Sequence, residues 1–341
     1  MSGSRPAQDE CRVPRVLGLW STTDPNRDDA EAALQRIRAG SRQGTLRNAV
    51  VSLVVLAEDD IRGAMATLDV GDRLAARVPS RVVVVSTLPD WPSGTKVSIK
   101  VGVIERRGAA PVSVEQVHLY AGGEAIAHLD AIVEPWILPG LPVAVWLPGR
   151  LPRPGEPVVA DAHRVIVDSH QLGRPLDQVD LTVLSGLPVV DLAWVRLRPW
   201  RLLLADAVAG GDVSFAAGVD RVDVTGRGQA WTLLAGWLAS SLGVPGSGIR
   251  LADGHPPAVH LRARRGGRRA ELTAVAVDDR QVRVTTTVAG RTARQHVVGL
   301  PEESLVGDLE AALTARSGRN EMWERAVEAT RLVGRPQPTR R

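Results

Sequence analysis

The chain has 341 residues, 44% hydrophobic and 23% charged, which predicts a folded protein of about two domains and excludes general disorder and a coiled coil. Its single cysteine, Cys11, excludes an internal disulfide and any metal centre held by several thiolates. The formal net charge is +4, and residues 245–341 are the basic part, with 17 arginines against 11 carboxylates.

The two ends of the chain, residues 1–15 and 334–341, are polar and are predicted to be disordered. The N-terminal segment carries Arg5 and Arg12 but no apolar stretch, so we expect no secretory signal and a cytoplasmic protein. The longest apolar runs span about ten residues, half of what a membrane helix needs, so we expect no membrane partner.

Residues 16–160 are predicted to form an N-terminal α/β domain with a mixed sheet. A helix is expected over Asp28–Arg38, with acidic residues in its first turn. The continuous apolar runs Asn48–Leu56 and Arg81–Thr87 are typical of strands buried on both faces. A helical pattern over Asp59–Arg77 joins them, so the three segments predict one β-α-β unit with parallel strands.

The rest of this domain alternates between strands and proline-rich turns. Apolar and polar residues alternate in both Lys96–Ile104 and Pro111–Tyr120. The two segments therefore predict a hairpin with one half-exposed face. Gly122–Pro135 has the apolar spacing of a helix, and Val143–Leu147 is a short strand between prolines. Arg150–Pro157 contains three prolines and is predicted to be the linker between the domains.

Residues 161–333 are predicted to form a C-terminal α+β domain, in which an antiparallel β-meander packs on helices. Pro199 should interrupt the helical pattern of Asp191–Ala209. Four alternating segments separated by turn residues predict the meander, with one arginine-rich face in solvent: 259–264, 269–278, 281–287 and 292–299. The other predicted strands are 164–168 and 219–224, and the other helices are 175–184, 229–242, 302–316 and 321–332.

The usual sequence signatures of catalysis and cofactor binding do not occur. There is no phosphate-binding loop, dinucleotide fingerprint, nucleophile elbow or paired-histidine zinc motif. The best polar clusters are Asp161 with His163 and Asp168 with His170, for which local hydrogen bonds are a simpler interpretation than a metal or acid–base site. We therefore assign no catalytic, cofactor or metal residues.

Tryptophan stands out, with nine residues against one tyrosine and one phenylalanine. Tryptophan and arginine are the types most enriched at interface hot spots, although for any single tryptophan we favour the alternative, that it fills a core short of phenylalanine. For the proline-rich segment 135–142, which contains Trp136, we favour surface contact. The candidate partner contacts are Trp136, Pro139, Trp146, Trp194, Arg196, Arg198, Trp200 and Arg201.

Several segments together resemble the glucose-6-phosphate dehydrogenase assembly protein family (OpcA). Most of the chain is covered, from about Leu17 to about Leu313. The strongest marks are DLAWVRLRPWR at 191–201 and LLAGWLAS at 233–240. Weaker marks lie at 19–23, 47–56, 78–85, 134–135, 138–143, 146–149 and 165–169. Their common order and spacing make the resemblance specific.

The resemblance implies a non-enzymatic partner that binds glucose-6-phosphate dehydrogenase, favours its active oligomer and raises its activity in the oxidative pentose phosphate pathway. In cyanobacterial members this effect is linked to thioredoxin and cysteine redox state. With Cys11 alone, this chain departs from that pattern and cannot form an internal disulfide switch.

Two other hypotheses stay open at the level of sequence. One is binding of nucleic acid or another polyanion through the arginine-rich residues 258–298, which the low content of stacking aromatics disfavours for nucleic acid. The other is an enzyme or binder for a sugar phosphate or nucleotide, built on the β-α-β half.

Overall fold

The computed structural model describes most of the chain. The described residues are 14–23, 27–39, 49–58, 61–104, 111–173, 181–184, 186–209, 216, 218–265, 268–316 and 318–333. Cys11, the C-terminal tail 334–341, nearly all of the N-terminal segment 1–15 and most of the predicted helix 175–184 lie outside these residues.

The first sheet has eight strands in the order β1-β4-β5-β3-β2-β6-β7-β8. The strands are β1 (Arg15–Thr22), β2 (Val51–Glu58), β3 (Ser80–Leu88), β4 (Gly94–Ile104), β5 (Val112–Gly122), β6 (Val143–Leu147), β7 (Arg164–Val167) and β8 (Val189–Asp191). Strand β2 runs parallel to β3 and β6, and β3 runs parallel to β5. Strand β4 is antiparallel to β5 and β1, so the predicted mixed sheet and its hairpin are confirmed.

The second sheet has six strands in the order β10-β9-β11-β12-β13-β14. They are β9 (Val219–Thr225), β10 (Ile249–Ala252), β11 (Ala258–Arg265), β12 (Arg268–Asp278), β13 (Gln281–Val288) and β14 (Arg291–Gly299). Strands β9 and β11 to β14 pair antiparallel with their neighbours, which confirms the predicted meander, whereas β10 is parallel to β9.

Nine α-helices occur in the described residues. They are α1 (Arg27–Ala39), α2 (Ile61–Ala75), α3 (Leu129–Val133), α4 (Pro157–Ala160), α5 (Leu192–Arg196), α6 (Arg198–Ala209), α7 (Gln229–Leu242), α8 (Leu305–Thr314) and α9 (Glu321–Thr330). The helix predicted over 122–135 is mostly 3-10, with turns at Gly123–His128 and Glu134–Trp136 around α3. The predicted interruption near Pro199 separates α5 from α6.

Three strands, β1, β8 and β10, were not predicted from the sequence. Strands β8 and β10 have three and four residues, too few for a periodic pattern. Strand β1 pairs on one side only, has no buried residue, and its register shifts between Val16 and Gly18. Its sequence therefore shows little of the alternation between apolar, buried residues and polar, exposed residues by which a strand is recognised.

By its internal contacts the chain divides into two compact units. The first unit contains residues 1–148, 152–166 and 305–317, and the second contains 149–151, 167–304 and 318–341. Helix α8 joins the first unit, where Arg164 donates to the carbonyl oxygens of Leu313 and Ala315 at the end of that helix. The domain bounds 16–160 and 161–333 remain predictions, because compactness does not test where an independently folding domain ends.

The second sheet buries one face, which holds the core of its unit. Val222, Leu261, Leu272 and Val282 are all at most 1% exposed, and the intervening side chains point to the other face. The apolar helix α7 lies along this core and meets α9 at Gly236, where an added Cβ would lie 2.2 Å from the Ala326 carbonyl oxygen. Glycine therefore allows the two helices to approach this closely.

Candidate partner-binding surface

The predicted tryptophan contacts are buried. The exposed fractions are 5% for Trp136, 3% for Trp146, 4% for Trp194 and 6% for Trp200. Within the segment 135–142, for which surface contact was expected, the Trp136 indole is therefore buried, whereas Pro139, Gly140 and Pro142 are exposed. The alternative interpretation, that tryptophan fills a core short of phenylalanine, describes all four side chains.

The first unit shows why Trp136 and Trp146 are inside. Trp146 lies on β6, an interior strand, in register with Val55 of β2. The carbonyl oxygen of Trp136 accepts a hydrogen bond from buried Arg81, which also pairs with Glu115 at 2.6 Å. Interior strands are covered on both faces, so a large apolar side chain there joins the core.

The other four residues that were predicted to contact a partner differ in their exposure. Pro139 in the first unit and Arg198 in the second are exposed, whereas Arg196 and Arg201 are half-buried. Whether any of the eight predicted residues contacts a partner stays a prediction, and the exposed ones are the better candidates.

Arg196 forms a bidentate ion pair with buried Asp168. Its guanidinium nitrogens donate to the two carboxylate oxygens at 2.7 and 3.1 Å. The same carboxylate accepts the backbone N–H of His170 at 3.2 Å, which is the local hydrogen bond expected for the Asp168–His170 pair. Arg196 therefore compensates a buried charge, and its loss would leave that charge unpaired.

Asp191 is a second buried carboxylate, which the sequence analysis did not single out. One oxygen accepts the backbone N–H groups of Ser169 and Ala193, both at 3.0 Å, and so caps α5. The other accepts the indole N–H of Trp323 at 3.1 Å. Complete burial raises the pKa of Asp191 above its ordinary value despite these bonds. The sequence signal for this capping role is an aspartate directly before an apolar helical segment.

Arg201 is held in place over Trp194. Its guanidinium carbon lies 3.6 Å from the centre of the indole, and it donates to the Trp194 carbonyl oxygen at 3.2 Å. A second nitrogen lies 3.6 Å from the sulfur of Met322. Burial, and then the nearby charge of Arg198, lower the pKa of Arg201 to about 10, so it stays charged at neutral pH.

Arg201 has exposed neighbours along α6 and, at Met322, in contact with it. Leu202 is 60% exposed and Met322 is 45% exposed, and Arg198 lies four residues before Leu202 on the same face of α6. We call Arg198, Arg201, Leu202 and Met322 the Arg201 patch. Arginine and methionine are enriched in protein interfaces, and an exposed leucine beside them adds apolar area that a partner can bury.

The first unit also contains a buried serine–histidine pair, the arrangement on which an enzyme hypothesis would draw. Ser86 Oγ lies 2.9 Å from His118 Nε2, and the two residues are 0% and 4% exposed. Burial, and then the charge of Lys96, lower the pKa of His118 to about 4. The pair is thus a neutral hydrogen bond within the sheet rather than a group presented to substrate.

The described residues contain neither a membrane-spanning helix nor a metal-binding cluster. No helix there combines the length and hydropathy that a membrane crossing needs. Among the same residues, no group of three histidine, cysteine or acidic side chains is arranged to hold a metal ion. The cytoplasmic location stays a prediction.

Two family models match adjacent parts of the chain. The model described as the glucose-6-phosphate dehydrogenase subunit N-terminal domain matches residues 71–182, and the one described as its C-terminal domain matches 187–327. The chain belongs to the OpcA family. The resemblance found in the sequence is confirmed, and the whole Arg201 patch lies within the OpcA C-terminal domain.

Two cyanobacterial relatives carry the family name. The chain is 27% identical over 186 residues to an OxPP cycle protein OpcA from Nostoc punctiforme, covering 51% of this chain and 40% of the relative. It is 22% identical over 240 residues to an OxPP cycle protein OpcA from Synechocystis sp., covering 67% and 50%. The chain thus spans half or less of the length of these relatives, and it has no significant match among solved structures.

Proposed function

We propose that this OpcA-family chain binds glucose-6-phosphate dehydrogenase and favours its active oligomer, without catalysing a reaction itself. The observation that carries the proposal is the match of both halves of the chain to domains described as parts of a glucose-6-phosphate dehydrogenase subunit. The names of its relatives, which are called OxPP cycle proteins, support a role in the oxidative pentose phosphate pathway.

Such an activator works through a difference in affinity. A protein that bound the active and inactive states of the dehydrogenase equally would shift neither. A coupling free energy of about 1–3 kcal/mol in favour of the active state produces a 5- to 150-fold effect. One well-formed contact present in only one of the two states is enough to supply it.

The Arg201 patch is the surface in the second unit that best fits this role. Stacking on Trp194 and the bond to its carbonyl oxygen hold Arg201 in one rotamer, so binding costs less side-chain entropy. Burial of Leu202, which is 60% exposed, would contribute about 1–2 kcal/mol. The patch thus combines a prearranged cation with an apolar anchor.

The proposal that the protein is not catalytic draws support from the Ser86–His118 pair. This is the arrangement most like a nucleophile with its base, and both side chains are buried. A histidine whose pKa is near 4 is a weak base at neutral pH. The chemistry of the pathway would then belong to the dehydrogenase.

The test uses purified protein and dehydrogenase from the same organism. We expect the two to co-elute in size-exclusion chromatography, and the dehydrogenase to shift toward its larger oligomer and gain kcat or substrate affinity. The chain alone should not oxidise glucose 6-phosphate. A mixture that neither co-elutes nor changes the kinetics would overturn the proposal, as would turnover by the isolated chain.

A further inference from the structure

Four arginines converge on an open pocket in the solvent-facing side of the second sheet. The pocket has a volume of about 530 Å³, within the range of small-molecule sites. We call it the arginine pocket. Its charged lining residues are Asp220, Arg221, Arg262, Arg264, Arg269 and Glu271, and the turn before β10 adds Pro245, Ser247 and Gly248.

Strand register brings these arginines together. Arg264 of β11 lies directly opposite Arg269 of β12, and Arg262 lies opposite Arg221 of β9 on one side and Glu271 on the other. Like charges directly opposite each other destabilise an antiparallel pair. Asp223 lies between Arg221 and Arg262 and offsets their repulsion, whereas the Arg264–Arg269 pair lowers the stability of the sheet unless an anion binds there.

The carboxylates nearby leave much of this charge uncompensated. Arg221 donates to Asp223 at 3.3 Å, and Arg262 lies 3.4 Å from the same carboxylate. Arg264 is 3.7 Å from Asp220, beyond hydrogen-bond distance, and no ion pair is found for Arg269 within the described residues. Arg264 and Arg269 thus keep guanidinium donors available to a ligand.

The charge of the lining indicates the kind of ligand. The lining itself, with four arginines and two carboxylates, carries a net charge of +2, which the neighbouring Asp223 reduces to +1. A phosphomonoester carries a charge of about −1.5 to −2 at neutral pH, and its oxygens match the planar fork of arginine. The two carboxylates accept hydrogen bonds from hydroxyl groups, so a ligand that carries hydroxyl groups beside its phosphate matches both kinds of charged side chain in the lining.

We infer that the arginine pocket binds a small phosphorylated polyol or sugar. Its phosphate lies between Arg264 and Arg269, and its hydroxyl groups face Glu271 and Ser247. This inference does not rest on the proposed function, because it concerns a ligand of this chain alone.

The experiment is calorimetric titration of the full-length protein at low salt. The probes are a hexose 6-phosphate, the unphosphorylated hexose, inorganic phosphate and a short DNA duplex. The binding variant is Arg264→Gln with Arg269→Gln, and the matched control is Arg283→Gln with Arg294→Gln, which replaces two exposed arginines of β13 and β14 outside the pocket.

We expect the hexose phosphate to bind more tightly than inorganic phosphate, and the free hexose not to bind. The pocket variant should lose at least about tenfold in affinity, while the control variant keeps it. Affinity should fall as salt rises, because the contacts are ionic.

Thermal unfolding without ligand distinguishes a binding defect from a folding defect. The pocket variant should unfold at the same temperature as the wild type or higher, since it removes a like-charge contact. The inference would be overturned by absent binding, by equal affinity in the wild type and the pocket variant, or by inorganic phosphate binding as tightly as the hexose phosphate. Duplex binding weakened equally by both variants would instead indicate a general polyanion surface and would also overturn it.

Discussion

Asp191 illustrates, at the scale of single residues, how burial changes what a carboxylate does. Its two oxygens accept three hydrogen bonds from Ser169, Ala193 and Trp323, so its role is to hold three segments of the second unit together. Because burial raises its pKa, folding disfavours its charged form, and the hydrogen bonds offset part of that cost.

Replacing Asp191 should therefore cost stability chiefly through lost hydrogen bonds. In Asp191→Asn the amide nitrogen would face the Trp323 indole N–H, two donors together, so we expect a loss of about 1–3 kcal/mol. Denaturant unfolding measures it. The exposed Asp206→Asn on α6 is the control and should change stability by less than about 0.5 kcal/mol. Equal effects of the two changes would contradict the prediction.

His118 should make stability depend on pH. Its pKa is about 4 when folded and 6.5 in an exposed site, so the unfolded chain binds the proton more tightly. Stability from this residue is therefore complete above pH 6.5 and is lost as pH falls toward 4, by roughly 3 kcal/mol in total.

The measurement is the free energy of unfolding at several pH values between 6.5 and 4. In His118→Gln the slope should become shallower by the amount that His118 supplies, whereas the exposed His128→Gln should keep the wild-type slope. If the His118 and His128 variants gave the same slope as the wild type, the neutral buried state of His118 would be wrong.

At the scale of elements, helices α7 and α9 meet at Gly236, although glycine is an unfavourable residue inside a helix. Alanine is favoured over glycine inside a helix by about 1 kcal/mol, so propensity alone predicts that Gly236→Ala stabilises α7. The close approach to the Ala326 carbonyl oxygen reverses this, because a Cβ at 2.2 Å forces the helices apart.

We expect Gly236→Ala to destabilise the protein by about 1–3 kcal/mol, measured as a lower midpoint of thermal unfolding. Gly299→Ala is a suitable control, since its added Cβ would meet only the Arg280 carbonyl oxygen, at 4.0 Å. A stabilised Gly236 variant would show that helix propensity outweighs the contact.

At the scale of the whole molecule, the Arg201 patch connects the fold with the proposed function. Leu202 is the last of the three patch residues on α6, and the two residues that follow it, Leu203 and Leu204, are buried. A leucine that the core does not require is free to serve a partner, and changing it should spare the fold.

Leu202→Glu should weaken binding of the dehydrogenase at least about tenfold and reduce the activation, while the thermal unfolding midpoint stays near that of the wild type. Val277→Glu changes an exposed apolar residue of the second sheet, 46% exposed, and should leave binding intact. Titration of each variant into the dehydrogenase measures this. Loss of binding in the Val277 variant alone would instead indicate that the partner binds the second sheet.

Much of the fold was predictable because several strands have a recognisable residue pattern within their own segment of the chain. The continuous apolar runs predicted β2 and β3, and the alternation of residues 258–299 predicted the meander. For the site, family segments identified the stretch around Trp194 and Arg201. Leu202 and Met322 were missed, since exposure of an apolar side chain depends on what the rest of the chain covers.

The sequence by itself determined the family, the mixed sheet and the meander, because these depend on patterns within short segments of the chain. Tertiary structure alone decided which side chains meet. It buried Trp136 and Trp146, placed Trp323 on Asp191, and aligned Arg264 with Arg269. Pairing register and packing across distant segments set these contacts, and a local pattern of residues does not encode which distant strand or helix will lie beside it.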